Sequence, residues 1–193
     1  RAFDFKKLTE ESTLSIDFFL RNYLGASEEL TSEKKFRDEI DHLNKEISEG
    51  GPKVFCHRDL HSRNIMVKQE KLYLIDFQDA RMGLPFYDLV SLLEDCYLPL
   101  TLSQRESLIT YFRETNEQTT ALSDKDFKYW YSISAIQRIF KALGSFAFIN
   151  YTRNDDRYLK YIGVGVGRLL EIFEEQSIFP RFREIIKRTY HEN

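Results

Sequence analysis

Two stretches carry the residues that could do chemistry: Cys56-His57-Arg58-Asp59-Leu60-His61-Ser62-Arg63-Asn64-Ile65, and Leu74-Ile75-Asp76-Phe77-Gln78-Asp79-Ala80. Asp59 and Asn64 stand five apart in a polar loop between two apolar runs, and Asp76 closes the next run. A hairpin folds its ends together, so it brings Asp76 back beside Asn64 and leaves Asp59 at the mouth of the loop. A carboxylate plus an amide oxygen is hard-oxygen ligation, suited to a Mg²⁺ ion that keeps waters and phosphate oxygens. Asp59 is then free to accept a proton from an incoming hydroxyl. Phosphoryl transfer needs that division of labour, with metal on the phosphates and one group orienting the nucleophile. The pair Cys56-His57 with His61 does not make a zinc site, because no second pair follows at ligand spacing and Cys96 stands alone.

The elements that must position these residues are mostly helical. Ile16, Phe19, Leu20, Tyr23 and Leu24 fall on one helical face, with Gly25 as its stop. Phe36, Ile40, Leu43 and Ile47 form a second stripe that ends at Gly50-Gly51-Pro52, and neither helix has a chemical duty. The period then changes. Lys53-Val54-Phe55-Cys56, Ile65-Met66-Val67 and Leu72-Tyr73-Leu74-Ile75 are short extended runs, the last two forming a hairpin. Beyond Pro85 the chain is helical again. Ser103-Gln104-Arg105-Glu106 has capping-box form, and Phe127 through Leu143 marks a long buried helix. Leu159 through Phe173 marks another helix, and Pro180 opens the last. The expected fold is mainly α with a small β insert, as one unit over residues 1–193: helices in 1–50, loop and hairpin in 53–76, helices in 86–193.

Composition bounds the rest. The 193 residues carry 28 Lys plus Arg against 31 Asp plus Glu, a net charge of −3 that leaves no electrostatic footprint for duplex nucleic acid. No apolar run approaches the roughly 18 residues of a membrane span. Two cysteines cannot make a disulfide scaffold, so a reduced, cytoplasmic protein is expected. Arg1-Ala2-Phe3 carries neither an initiator Met nor a signal pattern, and the chain reads as a piece of a longer reading frame.

His57, Arg58, Asp59 and Asn64 resemble the catalytic loop of the protein-kinase-like core, where His-Arg-Asp, four spacers and Asn precede an Asp-Phe-Gly segment. Gln78 replaces that glycine, and only the eight residues 77–84 separate Asp76 from Pro85. Both departures disfavour a protein kinase and point to a small-molecule acceptor. Ile75-Asp76-Phe77-Gln78-Asp79-Ala80, Gly83, Pro85 and Tyr87-Asp88-Leu89 resemble the aminoglycoside phosphotransferase and choline kinase superfamily. Within it the bacterial anomeric kinases of N-acetylmuramate and N-acetylglucosamine, enzymes of cell-wall recycling, are the most similar branch. Phe18-Phe19, Leu24-Gly25 and Arg157-Tyr158-Leu159 add to that likeness.

The resemblance implies the C-terminal lobe of an ATP- and Mg²⁺-dependent sugar kinase, acting on the anomeric hydroxyl. Asp59 would be the base, and Asn64 and Asp76 the magnesium ligands on the nucleotide. Asp88 would brace the loop through backbone hydrogen bonds, or simply cap its helix. His57 would also brace the loop, and Arg58 would pair with a local carboxylate or sit in solvent. His61, Asp79 and Arg81 would touch the sugar or be solvated loop residues. Residues 1–52 contain no glycine-rich strand pair with a strand lysine, so the nucleotide lobe is expected outside this sequence. Gly163-Val164-Gly165-Val166-Gly167 falls on the wrong side of the motif and reads as helix packing. Two other functions stay open: a kinase for an aminoglycoside or amino-alcohol, and a non-catalytic remnant used as a binding module.

Overall fold

A computed structural model describes residues 2–191. The elements run α1 (Phe5–Leu14), a π-helix (Ser15–Tyr23), α2 (Glu28–Ser32), α3 (Lys34–Glu49), β1 (Val54–Cys56), β2 (Ile65–Lys68), β3 (Lys71–Leu74) and β4 (Arg81–Gly83). Then come α4 (Phe86–Leu93), α5 (Leu102–Thr115), α6 (Asp124–Arg153), α7 (Ile162–Gln176) and α8 (Pro180–His191). The fold is mainly α with a small β insert. Among the described residues, no helix is long and apolar enough to cross a membrane.

The first helical stripe falls on the π-helix that continues α1 beyond Leu14. Leu24 N–H donates to the Phe19 carbonyl at 3.0 Å, five residues back, so the turn is wider than in an α-helix. Ile16, Phe19 and Leu20 stay fully buried, whereas Tyr23 is 39% exposed. The seventh residue of a stripe returns to its face only at α-helical pitch, and this segment has lost that pitch. Gly25 follows at φ 65, as a stop requires. α2 is an element the hydrophobic pattern does not announce. Its Ser27 side chain accepts from Leu30 N–H at 3.1 Å.

α3 buries Phe36, Ile40, Leu43 and Ile47, and all four touch the central core around α6. α6 is the hub. Its Gly144 lies against Ser15, where an added Cβ would come within 2.6 Å of the Ser15 Cα. The π-helix therefore crosses α6 at a distance only glycine permits. Gly165 of α7 is similarly tight, since a Cβ there would meet Leu143 at 2.9 Å. Gly167 faces open space, so the glycine run serves helix packing at Gly165 and not along its whole length.

β2 and β3 form the expected hairpin, with Ile65 opposite Leu74 and Lys68 opposite Lys71. β1 pairs with β4, antiparallel, Val54 opposite Gly83. The residues after Asp76 thus return as a strand that the pattern had not shown. The cap of α5 also lies elsewhere than expected. Thr101 is the N-cap, accepting from Gln104 N–H at 3.3 Å while Gln104 Oε1 accepts from Thr101 N–H at 2.9 Å. Leu102 already lies in the helix, which puts the cap two residues before Ser103.

Candidate active site

The loop between β1 and β2 is held by carboxylates at both ends. Asp88, in the first turn of α4, accepts from His57 N–H at 2.6 Å and from Arg58 N–H at 2.9 Å. The N-cap of that helix is Pro85, so Asp88 is a brace for the loop and not a cap. Burial pushes its carboxyl upward, against the two backbone bonds that favour the charge. Asp95, just past the end of α4, accepts from Ser62 N–H and Tyr97 N–H, both at 2.8 Å. Between these anchors Arg58 takes φ 78, a left-handed conformation that a non-glycine residue holds only when its surroundings fix it.

Arg58 is not a surface cation: it pairs with a carboxylate, one near in space but distant in sequence. It is 3% exposed and pairs with Glu11 of α1, 47 residues away. Its guanidinium lies over the Phe3 ring, 4.9 Å from the centroid. Gln137 of α6 donates to the other Glu11 oxygen at 3.2 Å. α1, which lies outside both stripes read from the sequence, therefore anchors this loop through a buried ion pair. His57 ties the loop to the hairpin: its Nε2 donates to the Ile75 carbonyl at 2.9 Å, since a carbonyl can only accept.

Asn64 sits in a 3₁₀ turn (Ser62–Asn64), buried, with its amide nitrogen donating to the Asp59 carbonyl at 2.9 Å. That bond fixes which end of the amide is free. Among the described residues nothing donates to Asn64 Oδ1, so the oxygen is the ligand a cation would find. Ile75 N–H donates to the Asn64 carbonyl at 3.1 Å, which places Asp76 one residue beyond the strand position facing Asn64. Asp76 is exposed, at φ 68, and accepts from Gln78 Nε2 on one oxygen. An amide oxygen and a carboxylate flanking the paired ends of the β2–β3 hairpin fit Mg²⁺, which takes few protein ligands and keeps its waters. No cluster of three or more His, Cys, Asp or Glu suited to a metal occurs among the described residues. Cys56 and Cys96 are buried free thiols, and burial pushes them up to about 12 and about 11, the range of inert cysteines.

Asp59 opens onto a cavity of about 310 Å³ between the loop and α6. Burial disfavours its charge, but Lys141 and Arg138 outweigh that and hold the carboxyl at about 2. Lys141 Nζ donates to Oδ1 at 3.0 Å, and Arg138 Nη2 lies 3.6 Å from the same oxygen. His61 and Asp79 line this cavity with Asp59. Burial and the Arg138 guanidinium push the His61 imidazole below its usual range. Arg81 is not brought there. It sits on β4 opposite Cys56, and its Nη1 donates to the Ala2 carbonyl at 3.4 Å.

Glu11, Asp95, Arg138 and Lys141 are absent from any reading of the loop motif. For the last two a signal exists: Gln137, Arg138 and Lys141 interrupt the otherwise apolar run from Ala135 to Leu143. Charges on the buried face of a long helix ask for a partner.

The brace can be tested apart from the chemistry. Replacing Asp88 by Ala strands two backbone N–H groups, His57 and Arg58 being themselves buried. Unfolding in urea should show a loss of about 2–4 kcal/mol. A loss under about 0.5 kcal/mol, the range of ordinary surface substitutions, would contradict the brace.

The model of the phosphotransferase enzyme family (APH) matches residues 8–122, which include Asp59, Asn64, Asp76 and Asp88 but stop short of Arg138 and Lys141. The chain is also similar to curated proteins named N-acetylmuramate/N-acetylglucosamine kinase. The relative from Neisseria meningitidis serogroup B is 28% identical over 159 residues, covering 81% of this chain and 47% of that protein. The one from Pseudomonas aeruginosa is 29% identical over 183 residues, covering 90% of this chain and 54% of that protein. A third, from Pseudomonas putida, is 26% identical over 172 residues, 82% of this chain and 51% of its own length. The chain spans about half the length of the curated relatives it matches.

Proposed function

We propose that this chain, which belongs to the APH phosphotransferase enzyme family, is the acceptor-binding and catalytic lobe of an ATP-dependent kinase for an amino sugar such as N-acetylmuramate or N-acetylglucosamine. The observation that carries the reading is the juxtaposition of Asp59, which opens on a cavity and faces Lys141 and Arg138, with Asn64 and Asp76 beside the paired ends of the β2–β3 hairpin. Asp59 accepts the acceptor hydroxyl's proton. A carboxylate held this low is a weak base, so its main contribution is to orient the hydroxyl, and the proton moves late in the step. Asn64 and Asp76 would hold Mg²⁺, which supplies charge neutralisation on the nucleotide's phosphates. His57, through Ile75, keeps the metal strand and the base loop in register.

A cavity of about 310 Å³ suits a single sugar ring, at the small end of ligand pockets. The names of the relatives point the same way.

A nucleotide-binding lobe supplied by polypeptide outside this sequence is part of the reading. Phe55, Val67, Leu72 and Phe77 are 65–71% exposed; they lie on β1, β2, β3 and just past β3, around Asn64 and Asp76. Apolar side chains grouped in this way mark a surface that another body covers. A cytoplasmic site of action is part of the reading, because ATP is the phosphoryl donor it assigns.

The test is ADP release by the complete polypeptide with Mg²⁺-ATP and each of N-acetylmuramate, N-acetylglucosamine, choline and kanamycin. Release that depends on an amino sugar is expected. Release with choline or kanamycin alone would replace the acceptor assignment, and release with none would favour a binding module without catalysis.

A further inference from the structure

Asp59 is approached from α6 by two cations, and both meet the same oxygen. Lys141 Nζ donates to Oδ1 at 3.0 Å and Arg138 Nη2 lies 3.6 Å from it, while no group among the described residues bonds Oδ2. The two cations differ in how they are held. Arg138 is fixed to α4 and the loop: its Nε donates to Ser91 Oγ at 2.9 Å, and Ser91 Oγ donates to the Arg58 carbonyl at 3.4 Å. Among the described residues Lys141 makes one side-chain hydrogen bond, to Asp59, from an ammonium with three donors. Its side chain is 16% exposed and lines the cavity. Burying an ammonium for a single bond costs stability, so packing alone gives no account of a lysine at this position.

We propose that Lys141 is a positioning residue for phosphoryl transfer, clamping Asp59 by Oδ1 so that Oδ2 is presented to the acceptor hydroxyl. The proposal rests on the reading of Asp59 as the base. In the step, the acceptor oxygen forms a bond to the γ-phosphorus as the bond from that phosphorus to the bridging oxygen of ADP breaks. The hydroxyl proton passes to Asp59 Oδ2, and Lys141 keeps its three protons throughout. A clamp on one oxygen matters because a carboxylate is free to rotate about its last bond. Held by Arg138 alone at 3.6 Å, beyond hydrogen-bond length, Asp59 would lose its fixed orientation.

The test uses the complete polypeptide and separates kcat from KM. Lys141→Met should lower kcat about 100-fold, the scale of losing one preorganised polar contact, with KM for Mg²⁺-ATP unchanged to within about threefold. In a second variant, Lys141→Cys is assayed before and after alkylation with 2-bromoethylamine, which rebuilds an ammonium on a chain of similar length. Cys56 and Cys96 are buried with raised thiol pKa values, so the reagent discriminates in favour of the new cysteine. Alkylation should recover most of the lost kcat. The clamp is overturned if Lys141→Met turns over within about threefold of the parent, or if alkylation restores nothing. It is also overturned if KM rises while kcat stays constant, because that pattern marks uniform binding. A parent protein with no acceptor-dependent turnover overturns the kinase reading itself, and the clamp with it.

Discussion

Asp59→Asn should reduce acceptor-dependent turnover by about 10²–10⁴-fold, the range ascribed to a positioned base. The amide keeps the shape of the carboxylate and can still accept from Lys141 Nζ through its oxygen, so the loop geometry survives. What disappears is the negative charge that draws the hydroxyl proton, together with the counter-charge of Arg138 and Lys141. The loss should fall on kcat, with KM for Mg²⁺-ATP little changed, because Asp59 lies on the acceptor side of the site. Steady-state kinetics at saturating acceptor separate the two constants. The wild-type rate should show no acid limb from Asp59 near neutrality. A group whose pKa is lowered to about 2 stays ionised until the pH falls through that value, well below the usual carboxylate range. An acid limb at pH 5–6 that vanished in Asp59→Asn would show that the base is far less acidic than Lys141 and Arg138 make it.

The second large effect belongs to Asp76. Asp76→Asn is the informative change, because Asp76 sits at φ 68 and Asn tolerates that region better than most residues. The backbone and the Gln78 contact are kept while a full ligand charge is removed. Turnover should fall about 10²–10³-fold, the scale seen when one stabilising contact to developing charge is lost. The Mg²⁺ concentration giving half-maximal rate should rise as well, because a neutral oxygen is the weaker ligand for a hard dication. A magnesium titration of the rate measures both. Unchanged magnesium dependence, with turnover within a few-fold of the parent, would remove Asp76 from the metal site.

These two predictions rest on residues that local spacing makes legible together with the likeness of His57 to Asn64 to a kinase catalytic loop. Asp59 and Asn64 are five apart, and Asp76 follows one hairpin later, so local chain geometry suffices to bring them together. The stripes of α3 and the buried stretch of α6 are legible for the same reason, since burial of one face imposes a helical period. Other features depend on partners distant in sequence. Glu11 meets Arg58 across 47 residues, and Lys141 meets Asp59 across 82. No local pattern encodes such a meeting, which is set by how α1 and α6 pack. The β1–β4 pair is hidden because each strand has only three residues, too few to show an alternation. Tyr23 leaves its predicted face because a π-helix forms where α-helical pitch was expected. Thr101 takes the cap expected near Ser103 because both side chains are good caps, and the helix simply starts earlier.

Phosphoryl transfer to an amino sugar at Asp59, Asn64 and Asp76 is tested by ³¹P NMR of the product formed from Mg²⁺-ATP and N-acetylmuramate by the complete polypeptide, run beside Asp59→Asn. The predicted result is a new phosphate-ester resonance coupled to the anomeric proton of the sugar, present with the parent and all but absent with the variant. Equal product from both proteins, or inorganic phosphate as the only product of the parent, would contradict it.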